Sequence, residues 1–208
     1  MPTVTVVVPG STMSTNVLSS LIRLQSAPAH GTDKLVLDIA SSVEEAVARF
    51  EKHETDRLVL MSASTSCTTD FIFHEHDDIM VAAYPTEGVD WGKMHACIAA
   101  GSPTADALTA AATTWSVDRG ALKPRDNSTF TSSAPVEAKL VSVHRGAIPA
   151  FARSFDPATW MLDYPGVGVY ANATATNNGE FCFVGRYVDK LQLSAKQQAA
   201  EAVEPVAA

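Results

Sequence analysis

Apolar residues recur along this chain in short β-branched runs that alternate with stretches of helical spacing. Residues 3–8, Thr-Val-Thr-Val-Val-Val, form one such run and end at Pro9-Gly10, which predicts a buried first strand. Ser14, Thr15 or Asn16 can cap a following helix, in which Val17, Leu18, Leu21 and Ile22 keep the helical period until His30-Gly31-Thr32 breaks it. Residues 35–39 predict a second strand. Ser42 and Glu45 then stand at capping-box spacing, and Val43, Ala46, Val47 and Phe50 give the apolar stripe of an amphipathic helix. Residues 57–61, Arg-Leu-Val-Leu-Met, predict a third strand, which runs into the small polar loop Ser62-Ala63-Ser64-Thr65-Ser66. A short helical turn is expected over 69–73 and a fourth strand over 78–83, ending at Tyr84-Pro85. Residues 88–100 predict a helix with Trp91, Met94, Ile98 and Ala99 facing inward, stopped by Gly101.

This rhythm predicts an α/β domain with a mainly parallel central sheet flanked by helices. Ligands of such sheets bind beyond the carboxyl ends of the strands. Here those ends are Pro9-Gly10-Ser11, Ala40-Ser41 and Ser62-Ala63-Ser64. The second half is less regular. A helix is expected over 105–115, a long loop over 118–135, and strands over 138–143 and 167–170, with order resuming over 181–191. Residues 1–192 read as one domain and 193–208 as a flexible, Ala-rich tail.

Composition narrows the picture. With 208 residues and 46% hydrophobic content, the chain can bury a core without a disulfide or metal staple. Net charge is −8 and no block of five basic residues occurs, which argues against nucleic acid as a partner. Cys67, Cys97 and Cys182 are widely spaced, without a C-x-x-C, and read as reduced thiols rather than as a metal site. The first residues read as a strand and not as a signal peptide, and no run approaches the roughly 18 apolar residues of a membrane helix. The sequons at Asn127 and Asn172 are read as chance.

Residues 17–91 resemble glycosyltransferase-like proteins of the GT-A, nucleotide-diphospho-sugar type found in large DNA viruses and phages. The resemblance lies in the helix carrying Ser20-Leu21-Ile22-Arg23-Leu24-Gln25, the helix ending in Phe50, the strand Leu58-Val59-Leu60-Met61, and the stretch Ala82-Ala83-Tyr84-Pro85-Thr86-Glu87-Gly88-Val89-Asp90-Trp91. It returns at Val143-His144-Arg145-Gly146, at Arg153-Ser154-Phe155 and at Gly179-Glu180-Phe181-Cys182. The resemblance implies a D-x-D after the third strand, whose carboxylates hold a divalent cation against the donor diphosphate. This chain has Ser62-Ala63-Ser64 there, and hydroxyls carry no charge with which to hold a dication. Three further positions depart from the family: Val43-Glu44 stands for Arg-Asn, and Glu87 for a Lys. An acidic Ser-Glu-Asp triplet is replaced by Thr176-Asn177-Asn178, whose amides do not transfer protons near neutrality.

Other constellations have plainer readings. His74-Glu75-His76-Asp77-Asp78 can offer two His ligands on one strand face, but reads more simply as a solvated turn. His144 and Arg145 follow a strand and can hold an anion, or form a surface turn. Gly10-Ser11-Thr12 can cradle a phosphate but lacks the P-loop spacing. Asp90 is expected to cap or pair locally and Trp91 to pack its helix on the sheet, with ligand contact as the second option. Cys182 reads as a core thiol.

The expectation is a catalytically degenerate transferase-like domain, a structural or interaction protein docking on other protein subunits, as a minor capsid or other virion component. The corresponding location is the virion or host cytoplasm. No cofactor is expected, with Mn²⁺ or Mg²⁺ entering only if the chain is an enzyme. One rival is a metal-independent glycosyltransferase that replaces the cation with Arg145, Arg153 and Arg186; another is a sugar or nucleotide binder without turnover.

Overall fold

The computed structural model describes residues 4–9, 13–26, 35–67, 69–73, 77–101, 104–126, 128–171, 175–177 and 184–185. Gly10, Ser11, Thr12, His74, Glu75, His76, Asn178, Cys182, Arg186 and the tail 193–208 lie outside the described residues.

The chain runs β1 (Val4–Pro9), α1 (Thr15–Ser26), β2 (Leu35–Ala40), α2 (Val43–Glu51), β3 (Arg57–Met61), β4 (Thr65–Cys67), α3 (Thr69–Ile72), β5 (Ile79–Ala82) and β6 (Pro85–Val89). It continues through α4 (Trp91–Ala99), α5 (Ala105–Ala112), β7 (Thr113–Trp115), β8 (Leu122–Pro124), β9 (Thr129–Ser132), β10 (Val136–Glu137) and β11 (Leu140–His144). The last described elements are α6 (Ile148–Ser154), β12 (Phe155–Asp156), β13 (Met161–Leu162), β14 (Gly168–Tyr170), β15 (Ala175–Asn177) and β16 (Val184–Gly185).

Eight strands form the central sheet, in the order β2-β1-β3-β11-β5-β14-β9-β8. The fold is α/β as expected, but the sheet is mixed rather than mainly parallel. β1 pairs in parallel with β2 and β3, and β14 with β5. The other pairings of this sheet, β11 with β3 and β5, β9 with β14, and β8 with β9, are antiparallel. The β-α-β rhythm does produce a parallel β2-β1-β3 unit. A strand from the second half, β11, then inserts head-to-tail between β3 and β5. Local periodicity carries no information on where a later strand inserts, which is why the sequence could not reveal it.

β3 is buried at all five positions, and its side chains divide by the strand's period of two. Leu58 and Leu60 join one apolar cluster with Val43, Ala46 and Phe50 of α2, while Val59 and Met61 join another with Val17, Leu21 and Leu24 of α1. The sheet is thus covered on both faces, and burying a side chain such as Phe50 is worth roughly 1.5–3 kcal/mol.

Helix starts follow the predicted caps. Ser14 Oγ accepts from Val17 N at 3.2 Å, and Ser42 Oγ from Glu45 N at 3.2 Å. Glu45 reaches back one residue further than a capping box requires, accepting from Ser41 N at 2.7 Å. Of the apolar residues at helical spacing, Leu18 and Ile22 are 51% and 56% exposed, while Ser20 faces the core, its hydroxyl donating to the Cys67 carbonyl at 2.7 Å.

Two other expectations are corrected. α4 does not lie on the sheet: it pairs with α5, and none of its residues is buried, with Trp91 and Ile98 56% and 53% exposed. Its stripe of apolar residues is real but has α5 rather than the sheet beside it. The expected loop over 118–135 contains a 3₁₀ turn (Arg119–Ala121) and the β8–β9 hairpin that finishes the sheet. The hairpin's turn is organised by Asp126, which accepts from Ser128 N and Thr129 N, each at 2.7 Å.

Candidate functional site

Beyond the carboxyl end of β3 an open cleft of about 530 Å³ is lined by Met13, Ser14, Ser62, Ala63, Ser64, Lys139 and Trp160. Small-molecule sites fall in this size range, and the position is the one that open α/β sheets use for ligands.

Four separate segments meet there, and backbone hydrogen bonds stitch them together. Ser14 N donates to Ala63 O at 3.2 Å, joining the start of α1 to the β3–β4 loop. Ser62 N donates to Lys139 O at 2.8 Å, joining that loop to the residue before β11. Ala138 N donates to Trp160 O at 2.7 Å, joining β10–β11 to the tip of the β12–β13 hairpin. β11 is antiparallel to β3, with Leu140 opposite Met61, so the residue before it falls at the same sheet edge as the residue after β3.

The polar groups of the cleft are largely paired with one another. Ser62 Oγ donates to Thr65 Oγ1 at 2.9 Å and lies 3.2 Å from Ser64 Oγ. Lys139 Nζ meets Glu137 Oε1 at 2.7 Å. Behind them Tyr84 is fully buried. Burial, then the charge of Glu137, pushes its phenol well above the usual range, so it stays protonated.

Trp160 is a non-glycine residue with positive φ, at 58°. Such a backbone costs on the order of 1 kcal/mol or more and persists only where its surroundings fix it. Here the surroundings are the hairpin pairing of Phe155 with Leu162, an Asp156 side chain that accepts from Ala158 N at 3.0 Å and Thr159 Oγ1 at 2.6 Å, and an edge-on contact of the indole with the Phe155 ring at 5.7 Å. The hydrogen bond from Thr159 is the largest cause of a lowered Asp156 pKa.

The sequence-predicted residues divide clearly. Ser62 and Ser64 line the cleft. Asn177 is brought next to them in register, opposite Thr65 on β4, so the two positions that the family resemblance singles out are neighbours in space.

His144 and Arg145 lie at the other edge of the sheet. His144 pairs with Arg57 at the amino end of β3, about 16 Å along the strand from the cleft. His144 Nδ1 accepts from Gly146 N at 3.2 Å. Arg145 closes the carboxyl end of α2: its guanidinium donates to Thr55 O at 2.9 Å, Phe50 O at 3.3 Å and His53 O. Arg153 is exposed in the last turn of α6 and is not among the cleft residues.

Asp90 is the N-cap of α4, accepting from Lys93 N at 3.0 Å and pairing with Lys93 Nζ at 2.8 Å. Lys93 is the main reason its pKa is lowered. Among the described residues, no group of three or more His, Cys, Asp or Glu is placed to hold a metal ion, and no helix is long and apolar enough to cross a membrane.

Sequence reasoning missed Glu137, Lys139 and Trp160, and took Ser14 only for a cap. The single available signal was Lys139 at the head of a predicted strand, and it becomes meaningful only once β11 is known to run against β3.

No family model matches this chain, and no curated protein matches it in sequence. Among solved structures it is similar to "Crystal Structure of A197 from STIV", with TM-score 0.48 and 12% identity over 86% of each chain. It is also similar to "crystal structure of a glycosyltransferase involved in the glycosylation of the major capsid of PBCV-1", with TM-score 0.32 and 10% identity over 72% of this chain and 63% of that one. Both are weak likenesses in geometry and in sequence.

Proposed function

We propose that this chain is a glycosyltransferase-like domain without metal-dependent transfer activity, working as an interaction subunit of a virion assembly. One observation carries the reading. At the cleft beyond β3, where the family resemblance calls for a pair of carboxylates, the side chains are the Ser62 and Ser64 hydroxyls.

The donor set does not fit Mn²⁺ or Mg²⁺. These hard cations need anionic oxygens, and neutral hydroxyls already engaged with each other and with Thr65 are poor substitutes. Lys139 brings a positive charge to the same cleft, and the carboxylate of Glu137 is committed to it. A dication placed there would share the cleft with an ammonium.

The rival of a metal-independent transferase is not favoured by the positions of Arg145 and Arg153, the two of its three arginines among the described residues. Arg145 is spent on the α2 terminus at the opposite sheet edge, and Arg153 is outside the cleft. Ligand binding without turnover has better support, since the cleft is open and its described lining carries one cation and one aromatic ring.

The side chains that docking on other subunits would cover are the exposed apolar ones: Leu18 and Ile22 on α1, Ile39 on β2, and Trp91 and Ile98 on α4. The virion as the assembly rests on the family resemblance alone.

Two measurements test this reading. Incubation with a panel of nucleotide-diphospho-sugars, with and without Mn²⁺, is expected to give neither hydrolysis nor transfer; metal-dependent turnover would refute the catalytic half. Quantitation in purified particles is expected to find the chain in fixed proportion to the major subunits; its presence in soluble lysate alone would refute the assembly half.

A further inference from the structure

We propose that the cleft beyond β3 binds a neutral, unphosphorylated saccharide, held without a metal. The inference deepens the functional reading above and rests on the residues of the cleft not fitting a dication.

The first argument is charge. Among the described residues Lys139 is the one charged residue lining the cleft, and Glu137 pairs with it at 2.7 Å, so their charges sum to near zero. The α1 terminus adds roughly half a positive charge, but its capping oxygen is already supplied by Ser14. A nucleotide diphosphate brings at least two negative charges and calls for several cations or a metal to match them. A neutral polyol calls for neither.

The second argument is the kind of surface. Trp160, half-buried against the core and set at a steep angle to the Phe155 ring, presents part of its polarisable apolar surface at the cleft wall. The C–H face of a pyranose ring is suited to such an indole, while its hydroxyls need neighbours that both donate and accept. Ser14 and Ser64, both partly exposed, supply hydroxyls that do both, Lys139 adds a donor, and the buried Ser62 holds the loop through Thr65.

The third argument is rigidity. The positive φ of Trp160 is fixed by its hairpin, by Asp156 and by the hydrogen bond from Ala138 N. A ring held in place before binding loses less entropy when a ligand stacks on it.

The experiment follows tryptophan fluorescence and calorimetry while the full-length chain is titrated with methyl glycosides of glucose, galactose, mannose, fucose, xylose and N-acetylglucosamine. UDP-glucose and inorganic pyrophosphate form the charged arms, all without metal. At least one methyl glycoside is expected to bind with a dissociation constant of about 1 mM or tighter. Trp160→Ala is expected to weaken it at least tenfold and Trp160→Phe to keep most of it. Because Trp160→Ala can disturb the hairpin, Ala63→Trp serves as a second variant: Ala63 is partly exposed on the cleft wall, a large ring there blocks entry, and circular dichroism checks that the fold is kept.

The proposal is overturned if no methyl glycoside binds, if pyrophosphate or UDP-glucose binds more than tenfold tighter than every neutral sugar, or if binding survives Ala63→Trp. Turnover of UDP-glucose in a parallel arm with added Mn²⁺ would instead sink the functional reading itself, so the two failures are told apart by product formation.

Discussion

The guanidinium of Arg145 lies 4.3 Å over the centre of the Phe50 ring while donating to the carbonyls of Phe50 and Thr55. One side chain from the far end of β11 thereby closes the carboxyl end of α2, where unpaired carbonyls and the negative end of the helix dipole favour a cation.

Arg145→Ala is therefore expected to destabilise the fold by about 2 kcal/mol, lowering the melting temperature by roughly 4–8 °C. Arg145→Lys keeps the charge but not the planar fork, and should recover only part of the loss. Thermal unfolding of the three proteins checks this. Ligand binding in the cleft at the opposite sheet edge should be unchanged in all of them.

Its place after a strand suggested an anion site or a surface turn for Arg145, and the structure puts its guanidinium on the carboxyl end of α2, for a geometric reason. Whether a residue at a strand terminus faces the ligand edge depends on the strand's direction, and hydropathy does not encode direction. The same blindness hid Lys139, which sits at the ligand edge because β11 runs against β3. What was legible was local: β3 over 57–61 at the residue level, the Ser14 and Ser42 caps, the Val43, Ala46 and Phe50 stripe, and the Ser62-Ala63-Ser64 loop as a strand-end site. Trp160 was illegible because its role depends on a hairpin closed by two-residue strands, too short to leave a periodic signal.

Thr5 and Thr55 are both fully or almost fully buried, and their hydroxyls lie 2.7 Å apart. Replacing one by Val strands the other hydroxyl without water, while replacing both removes the need for a partner. Thr55→Val is expected to cost about 1–2 kcal/mol, and the double Thr5→Val, Thr55→Val variant less than the sum of the two singles. Urea denaturation of the four proteins gives the coupling energy, and strict additivity would contradict the pairing.

Glu45 accepts from Ser41 and from Arg49, and the Ser41 hydroxyl is the largest cause that lowers its pKa from 4.5 to about 2. A carboxylate depressed in the folded state lends stability that is fully present above its unfolded value and is lost as pH falls through the folded one. Wild type should exceed Glu45→Gln in stability at neutral pH, and the gap should close as pH falls from about 4.5 to about 2. The group is solvent-exposed, so the gap is small and shrinks with added salt. Acid titrations at two ionic strengths read both effects.

Ser62 and Ser64 stand where paired carboxylates would anchor a dication. The double variant Ser62→Asp, Ser64→Asp is expected to gain Mn²⁺ affinity by at least tenfold, about 1.4 kcal/mol, at some cost in stability from the lost contact with Thr65. Adding Lys139→Ala should raise the affinity further, because it removes the competing ammonium and frees Glu137. Calorimetric titration with MnCl₂ measures each step.

The most direct measurement is electron paramagnetic resonance of Mn²⁺ added to the wild-type chain together with a sugar nucleotide. The free-ion signal should keep its full amplitude at every protein concentration, since hydroxyls and an ammonium do not hold the ion. A protein-dependent loss of that signal, reversed by substitutions at Ser62 and Ser64, would mean that the cleft is a metal centre after all.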